Sequence, residues 1–467
     1  MKEPLHSDTI CALATPAGGA IGIIRVSGPE AISLTDRTFR GRHKLSDAPT
    51  QCLRYGEVLA DDGSVIDDVV IGIWRAPHSY TGEDCVDINC HGSRYILQQV
   101  LQRLISLGAR QAHPGEYTQR AYLNGKMDLS QAEAVADLVA ATNSATHQLA
   151  ISQLRGHFSS ELARLRERLL KMTSLLELEL DFSDHEDLEF ASRPELTQLA
   201  QEIDDRVQRL AHSFAAGKAM KEGIPVAIVG RTNVGKSTLL NRLLHEDRAI
   251  VSDIHGTTRD VIEDTTEIHG VTFRFIDTAG IRETDDTVER LGIERTYQKI
   301  SEASIILWII DALPSPDEVA DMKRRCEGRK LMIVWNKADI NQVPETLATD
   351  LKSDLSSDDV ASHALLSISA KENIGIDDLR AQLYQLADLP DLSENDVIVT
   401  NARHYDALCR AHDDLLRVLD GLHAQLSGDL IAEDLRACLD DLADITGGKI
   451  TPQDTLNNIF SHFCIGK

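Results

Sequence analysis

Apolar positions fall in two rhythms along this 467-residue chain, and the rhythm changes three times. Over the first 120 or so residues the apolar runs are short and broken by turn residues. "VVIGIWRAP" and "DCVDINCHG" have the length and alternation of strands, and the Gly-rich turn in "TPAGGAIGIIRVSG" leads into another such run. At Leu129 the spacing becomes helical. Ser130 and Glu133 have the separation of a capping box, and apolar residues then recur on one helical face to about Leu180. "DFSDHEDLEF" has no period and reads as a solvated acidic loop, after which "PELTQLAQEIDDRVQRLAHSF" resumes the helical pattern. Strand-length and helix-length runs alternate from about 223 to 385, as in a doubly wound α/β sheet, and long helix returns from about 400 to 445. An α/β unit between two helical stretches suggests an insertion. The expected organisation is therefore α/β and α+β multidomain. An α+β domain spans 1–125, a helical domain is split into 126–222 and 386–467, and an α/β domain occupies 223–385.

Charge changes the picture of partners. Lys and Arg number 48 against 74 Asp and Glu, a net charge of −26. Phosphate contacts need cations, so most of this surface repels nucleic acid, and an RNA role needs a local basic patch or a basic partner. No stretch approaches the ~20 apolar residues of a membrane span, and "MKEPLHSDTI" has no signal-peptide pattern. Eight cysteines over this length make no disulfide framework, which points to a reducing, cytoplasmic setting. Cys85 and Cys90-His91 have no second cluster to complete a metal site and read as strand residues.

The strongest chemical signal is "VAIVGRTNVGKST". A buried strand, Val226 to Val229, runs into Gly230-x4-Gly235-Lys236-Ser237, the P-loop pattern between a strand and a helix. Its glycines let backbone N–H groups approach phosphates, Lys236 neutralises β/γ charge and the Ser237 hydroxyl suits Mg²⁺. Asp277-Thr278-Ala279-Gly280, after "FRFI", fits the DxxG loop that senses Mg²⁺ and the γ-phosphate. Asn336-Lys337-Ala338-Asp339, after "LMIVW", fits NKxD, whose carboxylate accepts from the N1 and N2 donors of guanine. Adenine lacks that pattern and would leave the carboxylate unpaired, at roughly 1–3 kcal/mol. Ser369-Ala370-Lys371 fits the loop that closes over the base. Four motifs in this order specify a GTPase.

Hydrolysis needs an oriented water and a cation for transition-state charge. The position after DxxG, where Ras-like enzymes hold a Gln, is Ile281, which does neither. Polar residues nearby are Arg282, Glu283, Asp285, Asp286 and Glu289, and the cation is either an arginine finger or a bound monovalent ion.

The chain closely resembles the MnmE (TrmE) family of tRNA-modifying GTPases along nearly its whole length. The matching stretches are "GIIRVSG", "SYTGEDCVDINCHG", "PGEYTQRAYLNGKMDLSQAEAVADL", "GRTNVGKSTLLN", "VSDIHGTTRD", "DTAGIRETDDTVERLGIER" and "FCIGK". The resemblance implies an N-terminal domain that binds a reduced folate and dimerises, and a discontinuous helical domain carrying the inserted Ras-like G domain. It implies a GTP hydrolase acting with an FAD-dependent partner subunit of the MnmG type. Together they install an aminomethyl-type group at C5 of the wobble uridine of certain tRNAs, with the one-carbon unit from 5,10-methylenetetrahydrofolate. Such a partner would also supply the basic surface that this chain lacks.

Residue by residue, the resemblance implies GTP contacts along Asn233, Val234, Gly235, Lys236, Ser237 and Thr238, and again along Ser252, Asp253, Ile254, His255, Gly256, Thr257 and Thr258. Within these, Asn233, Ser252, Ile254 and Thr257 match potassium ligands, and Thr258 joins Ser237 on Mg²⁺. Glu289 matches the residue that positions the water, so potassium and Glu289 fill the two gaps left by Ile281. Arg25, Glu83, Lys126 and Lys467 match folate-binding positions; a pterin needs a carboxylate for its N–H donors and a glutamate tail needs cations. Cys464 is either a thiol in the modification chemistry or a small residue closing the last turn. Two features depart from the commoner family pattern: Thr232 stands where many members have proline, and "TPAGGAIG" is one residue shorter. The alternatives are a ribosome-assembly GTPase, disfavoured by the acidic charge, and a stand-alone folate-dependent aminomethyltransferase with an attached G domain.

Overall fold

The structure, a computed structural model, describes residues 8–181, 192–245, 264–277, 302–326, 329–344, 362–389 and 397–448, with 456, 459–461, 463 and 466 from the tail. It divides into two compact units, residues 1–140 with 150–211 and 402–467, and residues 141–149 with 212–401.

The first unit opens with a seven-stranded sheet in the order β3-β4-β5-β6-β2-β1-β7. Its strands are β1 (Ile10–Leu13), β2 (Ile21–Ser27), β3 (Phe39–Gly41), β4 (Cys52–Leu59), β5 (Val65–Trp74), β6 (Cys85–His91) and β7 (Arg110–Gln111). Strand alternation sends Ile24 and Val26 of β2, Ile71 and Ile73 of β5, and Val86 and Ile88 of β6 to one face. Helices α1 (Ala31–Asp36) and α2 (Arg94–Ser106) cover it with Ala31, Leu97, Val100 and Leu104. Helix α3 (Glu116–Leu123) brings Tyr117 onto Ile10 and Ala12 of β1. Around β4 and β5 the other face is bare: Leu53, Tyr55 and Val70 are exposed, with Tyr55 opposite Val70 in register.

The helical run that begins at Leu129 is three helices, α4 (Leu129–Ala140), α5 (Ser144–Leu154) and α6 (His157–Asp181). Asn143 breaks it first, its side-chain oxygen accepting from the Thr146 N–H at the start of α5. Gly156, in the left-handed region at φ +82°, breaks it again. The capping box at α4 also differs from the expected Ser130–Glu133. Asp128 accepts from the Gln131 N–H at 2.9 Å while its own N–H donates to the Gln131 side chain at 3.0 Å. Ser130 and Glu133 are buried instead, and Glu133 accepts from Arg403 on the returning helix. Pairing with Arg403 and His404 outcompetes a local cap for that carboxylate. Helix α7 (Arg193–Glu222) follows; after the inserted domain come α11 (Ala402–His423) and α12 (Gly428–Thr446). The two chain segments are stitched by Glu133–His404 at 2.6 Å, Asp204–His412 at 2.5 Å and Glu177–Arg436 at 2.6 Å. The acidic stretch expected as a loop lies almost wholly outside the described residues.

The second unit holds a six-stranded sheet in the order β13-β12-β11-β8-β10-β9. These are β8 (Ile224–Val229), β9 (Asp264–Ile268), β10 (Val271–Asp277), β11 (Ile305–Ile310), β12 (Lys330–Trp335) and β13 (Ser362–Ser367), parallel except for the β9–β10 pair. Alternate residues enter two cores: Val226, Ile228, Leu307 and Ile309 on one face, Ala227, Ile306, Trp308 and Ile310 on the other. Burial on both faces is why these strands read as continuous apolar runs. Helices α8 (Lys236–His245), α9 (Pro316–Arg325) and α10 (Ile376–Ala387) complete the described part.

Candidate functional site

Strand β8 is flanked by β11 and β10, so its carboxyl end opens where the strand order reverses, the usual ligand position in such sheets. From Val229 the chain turns through Gly230–Gly235 and enters α8 at Lys236. A β-carbon on Gly230 would lie 2.4 Å from the Ile309 carbonyl oxygen; one on Gly235, at φ +97°, would lie 2.3 Å from Asn336 Nδ2. Only glycine fits either place. Lys236 Nζ donates to the carbonyls of Gly230 and Arg231, both at 2.8 Å, and so closes over the loop as it would over phosphate oxygens. Ser237 and Thr238 are exposed in the first turn of α8, whose free N–H groups and dipole favour an anion.

Asn336 joins the motifs. It is 2% exposed. Its Nδ2 donates to the Val234 carbonyl at 2.7 Å, and its Oδ1 accepts from the Ala370 N–H at 3.0 Å. Lys337 Nζ reaches the Asn233 carbonyl at 2.8 Å and Asp311 at 2.7 Å, and the Ala338 N–H donates to Ile368. Ser369 is buried and its Oγ accepts from the Glu372 N–H; Arg242 of α8 donates to the Lys371 carbonyl at 3.0 Å. Three of the four motifs thus share one hydrogen-bonded frame. Asp339 stands exposed, with no hydrogen bond or ion pair among the described residues. Asp277 ends β10 opposite Ile228, beside the start of the phosphate loop. Thr278, Ala279, Gly280, Arg282, Glu289 and the stretch Ser252–Thr258 lie outside the described residues.

Two supports of this frame were not singled out from sequence. Arg231 makes a two-pronged ion pair with Glu318, which is also the third residue of a capping box with Ser315 on α9. The Arg231 guanidinium holds the Glu318 carboxyl down to about 2. Asp311, the partner of Lys337, is the other. "SPDE" announces the cap, but no local signal names the arginine that shares it.

A second cluster gathers around the loop from Pro77 to Glu83. Arg25 is clamped by Asp87 at 2.8 and 2.9 Å, and its guanidinium lies 5.9 Å from the centre of the Tyr80 ring. Glu83 accepts from Ser27 Oγ at 2.8 Å and from Arg120 at 3.2 Å. Arg120 is fully buried and also binds Asp8 and Glu116, a role that sequence reasoning did not assign it. Lys126 Nζ donates to the Pro77 carbonyl at 3.0 Å. The tail meets α4 and β1: Phe460 packs on Leu129 and Ala132 of α4, and a β-carbon on Gly466 would lie 2.1 Å from the Leu13 carbonyl oxygen of β1. Leu13 follows Ala12, which pairs with Arg25. Cys464 and Lys467 themselves lie outside the described residues. Cys90 is buried and its thiol is pushed up to about 12 by desolvation, and the described residues contain no metal-holding group of His, Cys, Asp and Glu.

The family described as GTP-binding protein TrmE N-terminus matches residues 9–126, and the MnmE helical domain matches residues 129–464, a span that runs across the inserted nucleotide domain. The chain belongs to the MnmE family. It is 55% identical to the tRNA modification GTPase MnmE of Bacteroides fragilis over 470 residues, covering 99% of this chain and 100% of that one. The MnmE of Bacteroides thetaiotaomicron is likewise 55% identical over 99% of this chain and all of its own, and that of Phocaeicola vulgatus 53% identical over 99% of each. Within an MnmE chain the arrangement falls into place. The helical domain is built from both sides of the insertion, and the inserted Ras-like domain holds the P-loop, NKxD and base-loop residues on one frame.

Proposed function

We propose that this chain is a GTP hydrolase that takes part in modifying the wobble uridine of tRNA. The carrying observation is the Asn336 frame, which ties the phosphate loop to the base loop and leaves Asp339 free for guanine. In this reading Lys236 neutralises β/γ charge, and Asp339 accepts from the two donors on the guanine edge. Ser237, at the start of α8, and Thr258 hold Mg²⁺, which supplies charge neutralisation across the phosphates. Asn233 offers its side-chain amide to K⁺ together with Ser252, Ile254 and Thr257. In support, its backbone sits at φ +64° and its exposed side chain has no hydrogen bond among the described residues. Glu289 orients the water in place of a glutamine.

The second cluster is assigned to 5,10-methylenetetrahydrofolate, with Arg25, Glu83, Lys126 and Lys467 as its contacts. Support comes from the common loop that Arg25, Glu83 and Lys126 surround and from Gly466 seated against β1. Cys464 is placed in the modification chemistry on the same reading. Partners are a second copy of the chain, an FAD-dependent MnmG-type subunit and tRNA. The bare face carrying Leu53, Tyr55 and Val70 supports pairing of copies. The setting is cytoplasmic; no helix among the described residues is long and apolar enough to cross a membrane.

The direct test is mass spectrometry of wobble uridine in cells lacking the protein, where the aminomethyl-type group should disappear and return with the wild-type chain. Hydrolysis should rise strongly in K⁺ and weakly in Na⁺, and Asn233→Ala should abolish the difference. Equal rates in both salts would remove the potassium assignment.

A further inference from the structure

An acidic chain that acts on RNA must present cations somewhere, and many of the arginines among the described residues are already spent on its own carboxylates. In the first unit Arg25 is held by Asp87, Arg110 by Glu116, Arg206 by Glu161 and Arg436 by Glu177. Even the groove of about 440 Å³ between α6 and α7, rich in arginine, carries Glu161, Glu202 and Asp205 in its walls. One segment gathers such cations without an acid among them. Between Asp36 and Asp47 the chain reads "RTFRGRHKLS", with Arg37, Arg40, Arg42 and Lys44 and no carboxylate. Arg40 pairs with Glu57 at 2.6 Å; Arg37, Arg42, His43 and Lys44 are exposed and have no side-chain partner among the described residues.

The segment is also fixed in place. Phe39–Gly41 forms the edge strand β3 on β4, and Leu45 is fully buried. Asp36, the nearest acid, is occupied at the base of the loop, accepting from the Leu45 N–H at 2.6 Å and from Ser46 Oγ at 3.1 Å. Arg75 holds the far side through the Ser46 and Ala48 carbonyls. Three unpaired cations therefore stand on an anchored edge of the sheet.

We propose that this strip, Arg37, Arg42 and Lys44, is where the chain contacts the phosphate backbone of tRNA. A protein partner is disfavoured by what the strip lacks. A protein interface needs an apolar centre, yet the exposed positions here are Arg37, Arg40, Gly41, Arg42, His43 and Lys44. Within the strip itself no exposed side chain is apolar, and fixed cations of this kind suit a polyanion, through counterion release. The inference rests on the tRNA reading above.

The test uses the full chain and a tRNA transcript with uridine at the wobble position, titrated over a range of KCl with and without the FAD-dependent subunit. For the triple variant Arg37→Gln, Arg42→Gln, Lys44→Gln, the slope of log affinity against log salt should fall by about 2–3, since each lost phosphate contact removes ~0.7–0.9. Affinity at moderate salt should drop on the order of tenfold or more. GTP hydrolysis and the oligomeric state should stay at wild-type values. Unchanged slope and affinity would overturn the proposal. So would a variant that keeps tRNA but loses the second copy or the FAD-dependent subunit, which would assign the strip to protein. If the wild-type chain binds no tRNA in either mixture, the tRNA reading itself fails, a result distinct from failure of the strip alone.

Discussion

Asn336 is the residue on which the nucleotide frame depends. Its amide satisfies a carbonyl in the phosphate loop and an N–H in the base loop, both buried. Asn336→Ala leaves two orphaned backbone groups, each costing about 1–3 kcal/mol. GTP affinity is expected to fall at least tenfold, measured by calorimetry, without loss of the tertiary fold of the first unit. Asp339 makes a more selective prediction. Asp339→Asn replaces one acceptor by a donor, so the guanine N2 amine loses its partner while a C2 carbonyl gains one. Binding should shift from GTP toward xanthosine triphosphate, read by competition; a variant that still prefers GTP would show that Asp339 does not read the base. Both motifs were legible because their chemistry is local. Arg231–Glu318 was not, since its partners are 87 positions apart and belong to different elements.

At the scale of elements, sequence pattern located the helices but not their caps or breaks. Ser130 and Glu133 had the spacing of a capping box, and the helix uses Asp128 and Gln131 because Glu133 is claimed by Arg403 and His404. Burial pushes the Glu133 carboxyl up, but His404 and Arg403 outweigh it and hold it below its ordinary value. Asp414 on α11 shows the opposite balance. It is buried, and desolvation, helped by the neighbouring Asp441 carboxylate, raises its carboxyl to about 6 against the pull of Arg417. A raised carboxyl means that the folded state holds its proton more tightly than the unfolded state. The stability it contributes is complete below the ordinary 3.8 and is lost as pH climbs through about 6. Asp414→Asn should therefore raise the thermal midpoint above pH 6, by about 1–2 kcal/mol of stability, with the gain shrinking as pH falls toward 4. Calorimetry at pH 5 and pH 8 checks the sign.

At the scale of the whole chain, the tail is the informative element. Gly466 sits at φ +98° with no room for a β-carbon beside the Leu13 carbonyl. If the proposed folate assignment holds, Gly466→Ala should unseat this glycine from β1 and lower folate affinity severalfold, while GTP hydrolysis is unchanged. Wild-type folate binding by this variant would separate the tail from the folate site. The same contact shows why a glycine so near the end is useful: it lets the backbone pass where a side chain cannot.

What the sequence determined by itself was whatever depends on near neighbours. Strand and helix periods, the order of the nucleotide motifs and the alternation of strand and helix in the α/β unit all follow from residues a few positions apart, where period and turn chemistry act directly. Tertiary structure alone decided which charges are spent. Arg120 carries three carboxylates in a buried hub, Glu133 stitches the halves of the helical domain, and Arg42 and Lys44 have no side-chain partner among the described residues. The physical reason is that an ion pair needs only proximity in space, and folding brings together side chains whose separation along the chain carries no signal of their pairing.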